Sequence, residues 1–194
     1  MALTFYYSTV NAGKTAKLIL DEHAYSSRGS KTLVLLPSVA TSREGGFNLN
    51  SRAGLSCTFT PLSDNACPYA YFESLVSKPE VVFVDEAQFL SPEQIKGLCD
   101  ISDKGGVPVF AFGLRTDFLA KPFEGSTYLM AWADRIMEVS TPSTRERHTF
   151  ATMNIKINPD TKERVTEESP SVDVGFHYEP VSRKYFDLSK GWSR

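Results

Sequence analysis

The stretch Ser8-Thr9-Val10-Asn11-Ala12-Gly13-Lys14-Thr15 constrains this chain more than any other, because of what stands on either side of it. Residues 3–7 before it are an unbroken apolar and aromatic run of strand type. Residues 14 to about 23 after it set Leu18 and Ile19 on one helical face. Asn11-Ala12-Gly13 breaks the first pattern before the second begins. Strand, tight loop and helix in that order fit a phosphate-binding loop. Backbone N–H groups surround a β-phosphate, Lys14 reaches the β- and γ-phosphates, and the Thr15 hydroxyl meets magnesium. Ser8 stands where the usual pattern has glycine, so the motif is one residue short of a complete match.

The strand-then-helix rhythm recurs. Residues 32–36 read as a second buried strand, residues 69–76 as a helix, and Val81-Val82-Phe83-Val84 as a continuous β-branched and aromatic run. Runs of that kind suit a parallel sheet covered on both faces. Ser91-Pro92-Glu93-Gln94 is a helix start, with Ser91 as N-cap, Pro92 at the first helical position and Gln94 able to close a capping box. That helix is expected to reach about Ser102 and to end at Gly105-Gly106. Next come a strand over 107–112, a short helix over 128–132 and a strand over 136–139. The pattern predicts an α/β fold, a P-loop core with a central parallel sheet flanked by helices. Beyond about Ser140, short strands over 149–157 and 172–174 flank the polar stretch 158–170. A core over 1–140 and a small β-rich lobe with a substrate-covering loop over 141–194 follow.

Composition narrows the function classes. The 21 basic and 23 acidic residues are spread without a basic stripe, which argues against a nucleic-acid partner. No apolar run approaches the ~18 residues of a membrane span, and the chain opens directly on a strand pattern, so a soluble, cytoplasmic protein is expected. Cys57, Cys67 and Cys99 suggest neither a disulfide framework nor a metal knuckle. His23, His148 and His177 lack a second ligand at metal spacing.

The run 81–84 ends in Asp85-Glu86, where a P-loop fold needs one acid near magnesium and another near the reacting group. Asp85 is expected to hold magnesium through water and Glu86 to act as base. Asp85-Glu86-Ala87-Gln88-Phe89 and Gly113-Leu114-Arg115-Thr116-Asp117-Phe118 resemble the signature segments of the cellular-type thymidine kinases. Ser51-Arg52-Ala53-Gly54-Leu55 and Pro122-Phe123-Glu124-Gly125-Ser126 fall in that family's order and spacing, and the resemblance spans residues 3–185.

The resemblance implies transfer of the γ-phosphoryl group of ATP to the 5′-hydroxyl of thymidine, with Mg2+ and with Glu86 taking the hydroxyl proton. It places Ser8 to Thr15, Asp85, Gln88 and Arg43 at ATP. It places thymine on main-chain groups of Ser171, Val172, Asp173, Val174 and Gly175, between aromatic walls Phe118 and Tyr178, with Thr152 as a polar contact. Val10, Phe89, Leu114 and Phe123 complete the implied pocket. Read without the family, Phe118, Phe123 and Tyr178 are ordinary core residues first, a reading the family match reverses, and Arg43 is equally a solvated loop arginine. Arg115 is open between a structural ion pair and a phosphate contact. A homotetramer and feedback inhibition by thymidine triphosphate are further expectations of the resemblance.

The chain departs from the family in two places. Many members bind structural zinc in the small lobe, whereas Ser143, Arg145, Ser182 and Tyr185 occupy the ligand positions here, so a zinc-free lobe packed on Phe150, Tyr185 and Phe186 is expected. The segment between Gly175 and Tyr178 is shorter than usual and carries Phe176 and His177. A P-loop ATPase, with Glu86 activating water, and a non-catalytic nucleotide-binding regulator stay open as alternatives. Intact Lys14, Thr15, Asp85 and Glu86 argue against the regulator.

Overall fold

The run Val81–Val84 becomes strand β6 at the heart of a sheet, and its four side chains are all fully buried. The structure, a computed structural model, describes residues 1–41, 46–167, 169 and 176–191. In chain order the elements of the core are β1 (Leu3–Ser8), α1 (Lys14–Ser26), β2 (Thr32–Pro37), α2 (Ser38–Thr41), β3 (Asn48–Asn50), β4 (Ser56–Thr58), β5 (Thr60–Leu62) and α3 (Pro68–Ser74). After β6 come a 3₁₀ turn (Ala87–Phe89), α4 (Pro92–Asp103), β7 (Val109–Leu114), α5 (Glu124–Trp132) and β8 (Arg135–Glu138). The chain then forms β9 (Met153–Ile157), β10 (His177–Val181), α6 (Arg183–Phe186) and α7 (Leu188–Gly191).

Six strands pair side by side in the order β5-β2-β6-β7-β1-β8, every pairing parallel. Alternation along β6 explains why its sequence is apolar throughout. Val82 and Val84 enter one core with Leu3, Phe5, Ile95, Leu98 and Leu129, while Val81 and Phe83 enter the other with Leu18, Ile19 and Phe112. Helices therefore cover both faces, as the apolar runs require. The carboxyl ends of β1, β6 and β7 lie side by side, the edge at which parallel α/β sheets bind ligands.

The capping box of α4 forms as its sequence implies. Gln94 N–H donates to Ser91 Oγ at 3.2 Å, and Ser91 N–H donates to Gln94 Oε1 at 3.1 Å. Other boundaries move. The helix expected over 69–76 stops at Ser74, where the Lys78 ammonium takes the carbonyl of Phe72 at 3.0 Å. The strand expected over 107–112 begins only at Val109, which pairs with both Leu3 and Val82. Residues 149–152 precede β9 instead of belonging to it, and the strand expected over 172–174 lies outside the described residues.

A close approach fixes α5 against the 3₁₀ turn. A Cβ on Gly125 would sit 2.7 Å from the carbonyl oxygens of Ala87 and Leu90 and 2.9 Å from that of Gln88, all rigid backbone. Gly125→Ala is expected to cost about 1–3 kcal/mol through overpacking. Thermal denaturation checks this, at about 2–4 °C of Tm per kcal/mol for a chain of this size. An unchanged Tm would show that the turn yields freely.

The small lobe is an antiparallel pair, β9 on β10. Met153, Ile155 and Ile157 alternate onto one face and pack with Val181 and Phe186. Of the three aromatics expected to hold this lobe, only Phe186 is buried; Phe150 is 65% exposed and Tyr185 44%. The positions aligned with zinc ligands are committed to other bonds. Arg145 grips both oxygens of Glu179, its Nη2 at 2.8 Å, and lies 6.0 Å from the Tyr185 ring. Ser182 donates to Glu146 and caps α6 by accepting the Tyr185 N–H at 3.0 Å. This set offers no thiolate or imidazole and does not fit zinc. Among the described residues no helix is long and apolar enough to cross a membrane.

Candidate active site

The loop after β1 is held at both ends. Ser8 Oγ donates to the carbonyl of Val139, and Gly13, with φ of 82°, caps α1, its carbonyl accepting Lys17 N–H at 2.9 Å. Ser8 is not among the positive-φ positions, so its backbone makes no demand for the glycine of the usual motif. Lys14 curls back across the loop, its Nζ donating to the Thr9 carbonyl at 2.7 Å. Burial lowers the Lys14 pKa, opposed by the carboxylates of Glu86 and Asp85.

Asp85 ends β6 beneath this loop. Thr15 Oγ1 donates to Asp85 Oδ2 at 2.7 Å and Glu86 N–H donates to Asp85 Oδ1 at 3.0 Å. Burial, then the neighbouring Glu86 charge, push the Asp85 carboxyl up to about 7 against the pull of these bonds and of Lys14. Glu86 adopts a left-handed backbone, φ 50° and ψ 35°, uncommon for a residue with a side chain. That turn separates the paired acids: Asp85 stays buried under the loop and Glu86 lines the cavity.

Gln88 fixes the Glu86 carboxylate. Its amide Nε2 donates to Glu86 Oε2, while its Oε1 accepts the Leu114 N–H at 3.0 Å, joining the ends of β6 and β7. Gly113 makes this possible, since a Cβ there would lie 2.9 Å from Gln88 Oε1 and 3.0 Å from Gln88 N. Gln88, expected at ATP from the resemblance, thus lines the cavity as the partner of Glu86.

These groups open onto a cavity of about 610 Å³, within the ~300–1,000 Å³ range of small-molecule sites. The loop, Val10 to Thr15, lines it together with Asn50, Ser51, Arg52 and Ala53. An apolar and aromatic set lines it as well: Leu114, Phe89 edge-on to Phe123 at 5.6 Å, and Phe118 edge-on to Tyr178 at 6.4 Å. Glu86 lies in the same cavity as both. Of the residues expected here, Ser8, Thr9 and Asp85 stand behind the cavity wall. Arg43 and residues 171–175 lie outside the described residues.

Thr152 is not in the cavity. Its carbonyl accepts Arg115 Nη2 at 2.7 Å, so Arg115 ties the end of β7 to the small lobe and does not line the cavity. Asn154, two residues on, takes the place in the wall. Its Oδ1 accepts Val10 N–H at 2.9 Å and its Nδ2 donates to the Thr116 carbonyl at 3.1 Å. Asn11 makes a second tie, accepting from Arg52 and donating to the Tyr178 carbonyl at 3.3 Å. Sequence reasoning assigned no role to Asn154 or Arg52. The signal for Arg52 was the segment 51–55 itself, already matched to the family; for Asn154 it was a polar residue inside an apolar strand.

A parallel sheet with a Gly-Lys-Thr loop after its first strand and paired acids closing another strand defines the P-loop nucleotide-binding class. A family model described as thymidine kinase matches residues 1–186. A thymidine kinase of Coxiella burnetii is 39% identical over 193 residues, covering 97% of this chain and 96% of its own. One from Rhodopirellula baltica is 39% identical, covering 95% and 87%, and one from Shewanella oneidensis 38%, covering 95% of each. Among solved structures, a Bacteroides Pif1 bound to single-stranded DNA matches 71% of this chain and 38% of its own with TM-score 0.37 and 18% identity, too slight a likeness to carry an argument. The chain belongs to the thymidine kinase family.

Proposed function

We propose that this protein is an ATP:thymidine 5′-phosphotransferase, producing dTMP and ADP in the cytoplasm. The observation that carries this reading is one cavity lined by a phosphate loop, by a set of apolar and aromatic side chains, and by Glu86. An ATPase needs the first and the acid but has no use for the aromatic set.

In this reading the loop N–H groups and Lys14 hold the β- and γ-phosphates, and the aromatic set takes the flat thymine ring. Holding both substrates in one cavity makes the attack effectively unimolecular. Glu86, its carboxylate oriented by Gln88, accepts the 5′-hydroxyl proton as that oxygen attacks the γ-phosphorus in line, and ADP leaves. The Thr15 hydroxyl and the Asp85 carboxylate, 2.7 Å apart, are oxygen donors of the type magnesium takes beside phosphates and water, so the residues fit that ion. Bound there with ATP, magnesium would neutralise charge developing on the phosphates. In the proposed division of labour residues 1–140 bind ATP and residues 141–194 cover the nucleoside. A homotetramer and inhibition by dTTP belong to the reading through family membership alone.

The test is ADP formation from Mg-ATP with thymidine, deoxyuridine, deoxycytidine or deoxyguanosine. Turnover driven by thymidine, alone or with deoxyuridine, is expected. Turnover driven only by deoxycytidine or deoxyguanosine would overturn the base assignment.

A further inference from the structure

Lys156 has no part in the mechanism above, yet it is one of the largest fully buried side chains in the protein. A buried ammonium, even with polar partners such as Ser169 Oγ, is a costlier way to fill space than a methionine of similar length, so its rings and neighbours are where a role is sought. Its position follows from the strand pattern. In β9 the apolar residues Met153, Ile155 and Ile157 face the lobe core, which turns Asn154 and Lys156 to the opposite face. Asn154 reaches the cavity wall there, and Lys156 stands directly across from Tyr178 in the β9–β10 register.

The ammonium sits among three aromatic rings. Nζ lies 4.3 Å from the centroid of Phe176, 4.9 Å from Phe118 and 5.9 Å from Tyr178, and 2.8 Å from Ser169 Oγ. A cation within ~6 Å of a ring centroid is attracted to that ring. Phe118 and Tyr178 line the cavity; Phe176 and Lys156 do not. Phe176 is also, with His177, one of the residues that set this segment apart from the resembled family, so that departure supplies the nearest of the three rings around Lys156.

Building on the kinase reading, we propose that Lys156 is a positioning residue for the nucleoside: its buried ammonium fixes Phe118 and Tyr178 from behind as the wall against which the base rests. The phosphate loop keeps its own bonds, those of Ser8, Lys14 and Asn154, and its tie to this wall, from Asn11 to Tyr178, runs to a backbone carbonyl and not to the ring beside the ammonium. Loss of the ammonium therefore weakens nucleoside binding without touching ATP. It acts on ground state and transition state alike, so KM moves and kcat does not.

Lys156→Met is expected to raise the thymidine KM roughly tenfold or more. The ATP KM and kcat are expected to stay within about twofold. Phe176→Leu, which removes one ring without neutralising the lysine, is expected to raise the thymidine KM roughly threefold. An unchanged thymidine KM in Lys156→Met, or equal rises for thymidine and ATP, overturns the role of Lys156. If Lys156→Met does not fold, Phe176→Leu decides, and an unchanged thymidine KM there overturns it equally. The wild-type protein in the same assay separates the two ideas. Thymidine turnover in wild type with unaltered variants removes only the positioning role, whereas no thymidine turnover in wild type removes the kinase reading and this inference with it.

Discussion

Glu86→Gln is expected to lower kcat by roughly 10²–10⁴-fold while leaving ATP affinity nearly unchanged. The substitution keeps the length and shape of the side chain and removes its capacity to accept a proton. Glu86 makes no hydrogen bond through its side chain to the phosphate loop, and its partner is Gln88, which is itself anchored on Leu114 N–H. The left-handed turn that presents the side chain is a backbone property and persists in the variant. Single-turnover rates together with an ATP titration separate the two quantities. Loss of ATP binding in the variant would make Glu86 a structural residue, and an unaltered kcat would move the base elsewhere.

Lys14→Ala is expected to act on the other substrate. Removing one charged donor from a transferring phosphoryl group costs roughly 10²–10³-fold in rate, and here the loss falls on kcat/KM for ATP. Lys14 is buried and its Nζ is bonded to the Thr9 carbonyl, so truncation also leaves that carbonyl without its donor and loosens the loop. Thymidine affinity, set at the aromatic side chains, is expected to change far less. Steady-state kinetics with each substrate varied in turn checks this. Unchanged kcat/KM for ATP would remove the phosphate-loop assignment.

Much of this architecture is legible in the residues because single local rules decide it. Val81–Val84 has no polar face and so can only be an interior strand. Ser91-Pro92-Glu93-Gln94 carries its own cap, and Gly13 its own left-handed turn. Legibility fails where a residue's role depends on what folds against it from far along the chain. Asn154 reads as the polar half of an alternating strand, and only the meeting of β9 with the loop after β1, 144 residues away, turns it into a clamp on Val10. Thr152 has the same parity along the chain but precedes β9, and its carbonyl is drawn to Arg115. Phe118 illustrates why core and wall are indistinguishable in sequence: it is 2% exposed and also lines the cavity. Chemistry alone marks Phe150 and Tyr185 as packing residues, but both stay exposed, and the lobe core among the described residues closes on Phe186 without them.

The claim that one cavity joins a phosphate donor to a nucleoside acceptor is tested most directly by stoichiometry. ATP labelled in its γ-phosphate is mixed with thymidine and the purified protein, and ADP, labelled dTMP and free labelled phosphate are quantified by mass. ADP and labelled dTMP are expected to accumulate in equal amounts, with no ADP above background when thymidine is omitted. ADP matched by free phosphate, formed whether or not thymidine is present, would contradict the claim and make the protein an ATPase.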